Sequence, residues 1–250
     1  KRIPACIRDF KDNMKIAYDF HIHSCLSPCG DGDMTPQNIV NMAKIMGYDA
    51  IALTDHNTSG NCEAVMKAGK EIGLTVIPGM ELCTTEEVHI VCLFPDIENA
   101  KSFSDYVYST LPPVKNKPQI FGEQIYMNEN DEITGTEEKL LITASGISCA
   151  KAVSIVTEYG GICYPAHIDR SSFSILSNLG MIDESFGFNC AEIYDTSKET
   201  ELKEKHPYLK KLKIISDSDA HYLEKMRLPD NCYIDIAENT IEEIFNHLNK

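Results

Sequence analysis

The chain has no apolar run approaching the roughly 18 residues of a membrane-spanning helix. Its opening, KRIPACIRDF, holds no signal-peptide hydrophobic region. These two absences argue against a membrane partner and place the chain by default in the cytoplasm. A Lys/Arg-rich run is missing too, while the net charge is −15. Such a surface repels a long phosphate backbone, so a long nucleic-acid duplex is not the expected partner. The ten cysteines lack any framework spacing, which argues against a disulfide scaffold. Cys83, Cys92, Cys163 and Cys190 lie in apolar, strand-like runs where cysteine acts as a small hydrophobe, and free thiols are expected. Only Cys25 and Cys29, which follow a His-x-His, are placed to carry chemistry.

What is present is an alternation of apolar strands and amphipathic helices. The strands are read at Ile16–Phe20, Ala50–Leu53, Leu74–Ile77, Val88–Phe94, Ile162–Tyr164, Ala191–Tyr194 and Ile214–Ser216, with a further one at Tyr233–Ile236. Thr35 and Pro36 open a helix that Gly47 ends, and others run near Asn61–Ile72, from Ser148 to about Tyr159, and over Thr240–Leu248. At 250 residues this suits one α/β domain, with nearly all-apolar strands forming a parallel sheet covered by helices. Residues 97–147 break the rhythm with Pro112-Pro113, Pro118 and the turn-like NENDE at 128–132. They are read as an insertion between strands four and five, with a hairpin around that turn, in the position of a lid or recognition element. Met14 opens MKIAYDFHIHS and looks like a natural start, so residues 1–13 are expected to be an extension and 14–250 a single domain.

Six of the eight histidines fall at the ends of these strands. His21 and His23 form His-x-His, and residues two apart on a strand face the same side. His56 closes LTDHN, His89 lies in VHIV, His167 in PAHIDR and His221 in SDSDAH. Glu81 in GMEL and Asp219 join them, whereas His206 and His247 have no such company and are read as surface residues. In a barrel of parallel strands the C-terminal ends surround one mouth. His89 departs in detail, because it sits near the start of its apolar run. Imidazole plus carboxylate suits Zn, Mn or Fe, and so many donors imply two or three divalent ions. Asp55 is placed to orient a ligand imidazole or take a proton, and Arg170, three after His167, to reach a phosphate. Asn57 and Ser27 are loop residues without an assigned role.

DFHIHS with DMTP, LTDHN, GMEL, VHIV, PAHIDR and SDSDAH together resemble the PHP (polymerase and histidinol phosphatase) family of metal-dependent phosphoesterases, over residues 16–94 and 160–222. The resemblance implies a distorted seven-stranded (βα) barrel, TIM-like, with a trinuclear site. It implies that His21, His23, Glu81 and Asp219 hold one metal, that Glu81 bridges to a second held with His89 and His167, and that His56 and His221 hold a third. The third ion also needs a ligand from the loop SCLSPCGDGDMTP, where the chain departs from the usual pattern. Counting back from Thr35-Pro36 selects Asp31, and counting forward from His21 selects Cys29. Asp31 is favoured, because Asp31-Gly32 matches the family's Asp-Gly form and a hard oxygen suits the set.

The implied activity is hydrolysis of a small phosphomonoester or phosphodiester, of the nucleotide bisphosphate or short oligonucleotide type, through metal-activated hydroxide. The partner is then a small phosphorylated substrate. Histidinol phosphate is a second family substrate. Two rivals are an amidohydrolase, which also opens on His-x-His but continues with a bridging lysine, and a non-catalytic metal-binding module of the same family.

Overall fold

The computed structural model describes residues 13–249. The expectation about residues 1–13 therefore falls, apart from Asn13, outside the described residues, as does Lys250. In chain order the elements are β1 (Met14–Ile22), α1 (Pro36–Met46), β2 (Ala50–Leu53), α2 (Cys62–Glu71), β3 (Thr75–Cys83), β4 (His89–Leu93), α3 (Ile97–Thr110), α4 (Pro118–Phe121), β5 (Ile125–Met127) and β6 (Ile133–Thr136). They continue with α5 (Cys149–Glu158), β7 (Ile162–Pro165), α6 (Ile175–Leu179), β8 (Cys190–Glu192), α7 (Glu199–Lys205), β9 (Lys213–Ile215), β10 (Tyr233–Ile236) and α8 (Ile241–Leu248). No helix among the described residues is long and apolar enough to cross a membrane.

Local chemistry sets the helix ends. The Thr35 hydroxyl accepts from the Asn38 N–H, Pro36 takes the first turn, and Gly47 at φ 87° closes α1 in the left-handed conformation. Asp96 caps α3 by accepting from the Asn99 N–H at 2.9 Å, and Thr240 caps α8 in the same way.

The main sheet has six strands in the order β10-β1-β2-β3-β4-β7. β1, β2 and β3 run parallel, while β4 is antiparallel to both β3 and β7. This corrects the expectation of an all-parallel sheet, and the reason is chain length. Only residues 84–88 separate β3 from β4, and a parallel crossover needs a dozen or more. The reversal brings the first residue of β4, His89, to the same end as the C-termini of its neighbours, which explains its place in its run. β8 and β9 form a separate parallel pair. Ile168 N–H donates to Glu192 O (2.9 Å), and His23 N–H donates to Ala220 O (3.0 Å) beside the Ile22–Ala220 bridge.

The curl of the sheet makes an inner and an outer core. Inside lie Phe20, Ala52, Ile77, Val91, Tyr164 and Ile215, closed below by Ile234, Ile244 and Leu248. Outside, Ile39, Val40 and Val65 of α1 and α2 pack on Ile51, Leu53 and Val76. A third cluster holds Phe94, Phe103, Val107 and Val156, so α3 and α5 cover β4 and β7. The segment 97–147 thus begins with a core helix. Ala100, Phe103 and Val107 are its buried stripe, at helical spacing, and the remainder carries α4 and the β5–β6 hairpin before Leu141 and Ile147 return to the core.

Phe103 is fully buried, with its ring 5.1 Å from Phe94 and 5.5 Å from Tyr159. Phe103→Ala is expected to destabilise the fold by about 3–5 kcal/mol, whereas Ile45→Ala, at a side chain 75% exposed, should stay within about 0.5 kcal/mol. Urea unfolding midpoints of the two variants check this.

Candidate metal centre

Strand ends deliver the site residues to one place. His21 is the penultimate residue of β1 and His23 follows the strand. His56 comes three residues after β2, Glu81 lies in β3, His89 begins β4, His167 follows β7, and Asp219 and His221 follow β9. Glu81 is at the centre. Its Oε1 lies 3.2 Å from His21 Nε2, 2.9 Å from His89 Nδ1 and 3.1 Å from His167 Nε2. Its Oε2 lies 2.9 Å from His56 Nδ1 and 3.5 Å from His23 Nε2. Asp219 Oδ1 stands 3.4 Å from His21 Nε2 and 3.3 Å from His23 Nε2. All these residues are buried except His221, which is partly exposed. His167 and Asp219 hold φ angles of 29° and 48°, a conformation that side chains adopt only when the surroundings impose it. His206 and His247 are half-buried and fall in no group of candidate ligands.

Burial works against charge here, and the neighbours work back. It pushes the Glu81 carboxyl up, but His89, His21 and His56 hold it well below the usual carboxylate range. It pushes His21 down, but Glu192, Asp219 and Glu81 raise it well above an ordinary imidazole. For His23 burial and His221 act together and hold it well below. Neighbouring imidazoles are thus pushed in opposite directions by the same few charges.

The unpartnered atoms point to metal. His56 Nδ1, Glu81 Oε2 and Asp219 Oδ1 face the cluster and are buried without an aligned hydrogen bond, although the first two stand only 2.9 Å apart, which is costly unless something else satisfies them. Three groups of donors lie within 4.8 Å of one another: His21, His23, Glu81 and Asp219; His56, Glu81 and His89; and His23, His56 and His221. Nitrogen and carboxylate donors at this spacing fit divalent transition metals. His167 approaches the same Glu81 oxygen as His89.

The structure does not bring Asp31 into the cluster. Its Oδ1 accepts the Asp33 N–H at 2.8 Å, and it belongs to none of the donor groups. Cys29 stands nearer, with Sγ 3.2 Å from His56 Nε2. Crowding raises the thiol, but His56 and His221 beside it bring it down to about 6. The loop between His23 and Thr35 is folded, not extended, so spacing along the chain does not set which side chain lies near the histidines. Gly30 N–H donates to Ser27 O, and a Cβ on Gly30 would run into the Ser24 carbonyl oxygen.

Asp55 does not face the cluster. Its Oδ1 accepts the Ser24 N–H and the Ser27 hydroxyl, each at 2.7 Å, and its Oδ2 accepts the Ser24 hydroxyl at 2.6 Å. Ser27 Oγ in turn stands 2.9 Å from His23 Nδ1, so Asp55 fixes that ring through Ser27. Arg170 reaches Asp219, with Nη1 2.6 Å from Oδ2, and lies over the Tyr194 ring at 4.4 Å, partly open to solvent. Glu192 went unread in the sequence. Its Oε2 lies 2.8 Å from His21 Nδ1, and the available signal was a lone carboxylate in the otherwise apolar CAEI. The cluster lines a cavity of about 140 Å³ that also includes Arg170 and Phe173. A larger cavity of about 550 Å³ lies alongside, between Cys29, Tyr222 and the Ile120–Ile125 stretch, and the two share Ile142 as a wall. Nine described cysteines are free thiols.

The family model "PHP domain" matches residues 19–248. The chain belongs to that family. Among curated relatives of this PHP chain, the 5′-3′ exoribonuclease Rnm of Salmonella typhimurium is 30% identical over 139 residues, covering 54% of this chain and 45% of the relative. The matched stretch is thus less than half of that protein's length. Among solved structures, the lesion-specific endonuclease PfuEndoQ from Pyrococcus furiosus shares the fold with a TM-score of 0.69 at 19% identity, over 94% of this chain and 56% of that one. Endonuclease Q in complex with a 27-mer duplex carrying an abasic lesion at its active site gives 0.64 at 18% identity, over 92% and 55%. These findings overturn the expectation of a small substrate with long duplexes excluded. Net charge sums the whole surface, and it says little about the field at one mouth.

Because the donors are preassembled, bound metal should stabilise the native state by mass action. At a free metal concentration of 100 Kd the gain is about 2.7 kcal/mol, or roughly 5–10 °C in Tm for a chain of this size. Calorimetry of chelator-treated protein, before and after Zn or Mn is added back, checks it.

Proposed function

We propose that this chain is a metal-dependent hydrolase of phosphate esters that acts on a phosphodiester bond of a nucleic acid. The observation that carries the reading is Glu81, one buried carboxylate in reach of five imidazoles, at the wall of a cavity that an arginine also lines. Two or three ions, of the Zn, Mn or Fe type, are held by His21, His23, Glu81 and Asp219, by Glu81 with His89 and His167, and by His56 with His221. When bound, they supply an activated water nucleophile and neutralise charge on the phosphoryl oxygens.

The chain's own residues do the rest. Arg170 exchanges its Asp219 contact for a bidentate grip on a substrate phosphate, and its stacking on Tyr194 holds the guanidinium plane in place. Asp55 positions His23 through Ser27 and takes no part in proton transfer, because its oxygens already accept three hydrogen bonds. Phe173, 38% exposed and stacked on His89 at 4.8 Å, offers a face to an unpaired base. We read β1, β2, β3, β4, β7, β8 and β9 as a seven-stranded ring, joined where Ile168 meets Glu192 and His23 meets Ala220. The outer part of residues 97–147 is the wall of the substrate cleft. An amidohydrolase is disfavoured, because no lysine lines the cavity at Glu81.

The test is product release from 5′-phosphorylated single-stranded RNA, single-stranded DNA and duplex DNA, with protein reloaded with Mn, Zn or Fe. Metal-dependent cleavage of at least one polymer, lost in His23→Ala, is expected. Arg170→Ala should lower kcat/KM by about 10²–10³-fold, as for removal of one charge-stabilising donor. Protein that holds two or more ions by elemental analysis and cleaves none of these would sink the proposal.

A further inference from the structure

We infer that Cys29 is a thiolate ligand of the third metal position, which makes that position a mixed sulfur–nitrogen site formed with His56 and His221. The inference rests on the metal-centre reading above and adds a ligand that the carboxylate pattern of the loop did not predict.

Three observations meet here. Cys29 Sγ lies 3.2 Å from His56 Nε2. Ligands at 2.3 Å for sulfur and 2.0–2.1 Å for nitrogen, set at a tetrahedral angle, stand roughly 3.5 Å apart, so the observed pair is within a few tenths of an ångström of a ligating one. Next, the nitrogens of His56 and His221 already belong to one donor group. Last, the Asp31 carboxylate is turned to its own loop, where Oδ1 accepts the Asp33 N–H, and the Asp31 N–H donates to the His221 carbonyl. That last bond ties the two loops together and keeps Cys29 beside His221.

On ligation the thiol gives its proton to solvent, so binding at this position releases a proton. Sulfur also changes which ion is preferred. A position with one thiolate and imidazoles favours Zn over Mn, whereas the positions around Glu81 carry only nitrogen and oxygen donors. The chain would then hold two kinds of metal position in one site, with the softer one at the edge that opens into the larger cavity.

Cobalt(II) tests this by absorption, without any substrate. Wild-type protein and Asp31→Asn, loaded with cobalt, are expected to show a near-ultraviolet thiolate-to-cobalt charge-transfer band. Cys29→Ser should lose that band and keep the visible bands of cobalt at the nitrogen and oxygen positions. The second measurement needs no variant of Cys29: carboxymethylation of the Cys29 peptide, followed by mass spectrometry, should be suppressed by bound metal and restored in His221→Ala. Bound cobalt with no charge-transfer band, a band that survives in Cys29→Ser, or alkylation indifferent to metal would each overturn the inference and leave the metal centre standing. Absence of any bound cobalt would overturn both.

Discussion

Glu81 is the constraint around which the rest is arranged. Placing a carboxylate in a protein interior costs several kcal/mol after relaxation unless charge and hydrogen bonding compensate. Here the compensation comes from five imidazoles carried by four other strand ends, and each has to be held rigidly to be of use. The backbone of Glu81 shows how. Its N–H is shared between the carbonyls of Thr54 and Asp55, both at 3.1 Å, and its own carbonyl accepts the Asn57 N–H at 2.9 Å. The turn that carries His56 is therefore fastened to the residue His56 must face.

Asn57 shows how far this fastening extends. It has a positive φ of 52°, a conformation asparagine tolerates better than most residues. Its Oδ1 accepts the Cys83 N–H, and its Nδ2 donates to the carbonyls of Leu141 and Thr143. One amide thus joins the β2 turn, the end of β3 and the far side of the 97–147 segment. The loop after β1 is anchored in the same way, with Ser24 and Ser27 donating to Asp55 while Asn61 donates to Ser24 (3.0 Å). Preorganisation of this kind is what separates a metal centre from a collection of histidines, because ligands held by a second layer of hydrogen bonds cannot collapse onto one another when the ions leave.

The sequence was most legible where chemistry is dense and local. His-x-His, the Asp-His pair and Asp-x-His each place two functional groups within three residues of a strand end, and alternation along a strand then decides which way they point. The helices were legible where a cap and a glycine bracket an apolar stripe, as in α1. Legibility failed for relations between distant segments. Strand direction at β4 was open to a length argument that the apolar character of the strands concealed. The α3 stripe was hidden because the prolines that follow it made the whole segment resemble an excursion. Asp31 and Cys29 are two residues apart in a loop whose path depends on a turn at Gly30, so position in the sequence could not decide between their side chains. Glu192 reaches His21 across 171 residues, a contact that no local pattern encodes.

Charge gives the same lesson in a sharper form. The chain carries −15 overall, yet six of its carboxylates, Asp19, Asp55, Glu81, Glu192, Asp217 and Asp219, are buried within or just beneath the site. Their surroundings act on them in opposite directions. Burial, reinforced by Glu192 and Asp19, pushes the Asp217 carboxyl well up, while Glu81 and Asp219 stay ionised among imidazoles that would give way to cations. What faces the solvent at the mouth is different again, with Arg170 and Arg227 flanking the Tyr194 ring at 4.4 and 4.7 Å. On the proposed function, a phosphate at this opening would meet Arg170 and bound divalent ions at short range, while like-charged surface beyond a Debye length of roughly 8–10 Å is largely screened. An acidic chain and a polyanionic substrate are therefore compatible, provided the positive charge is concentrated where the phosphate has to sit.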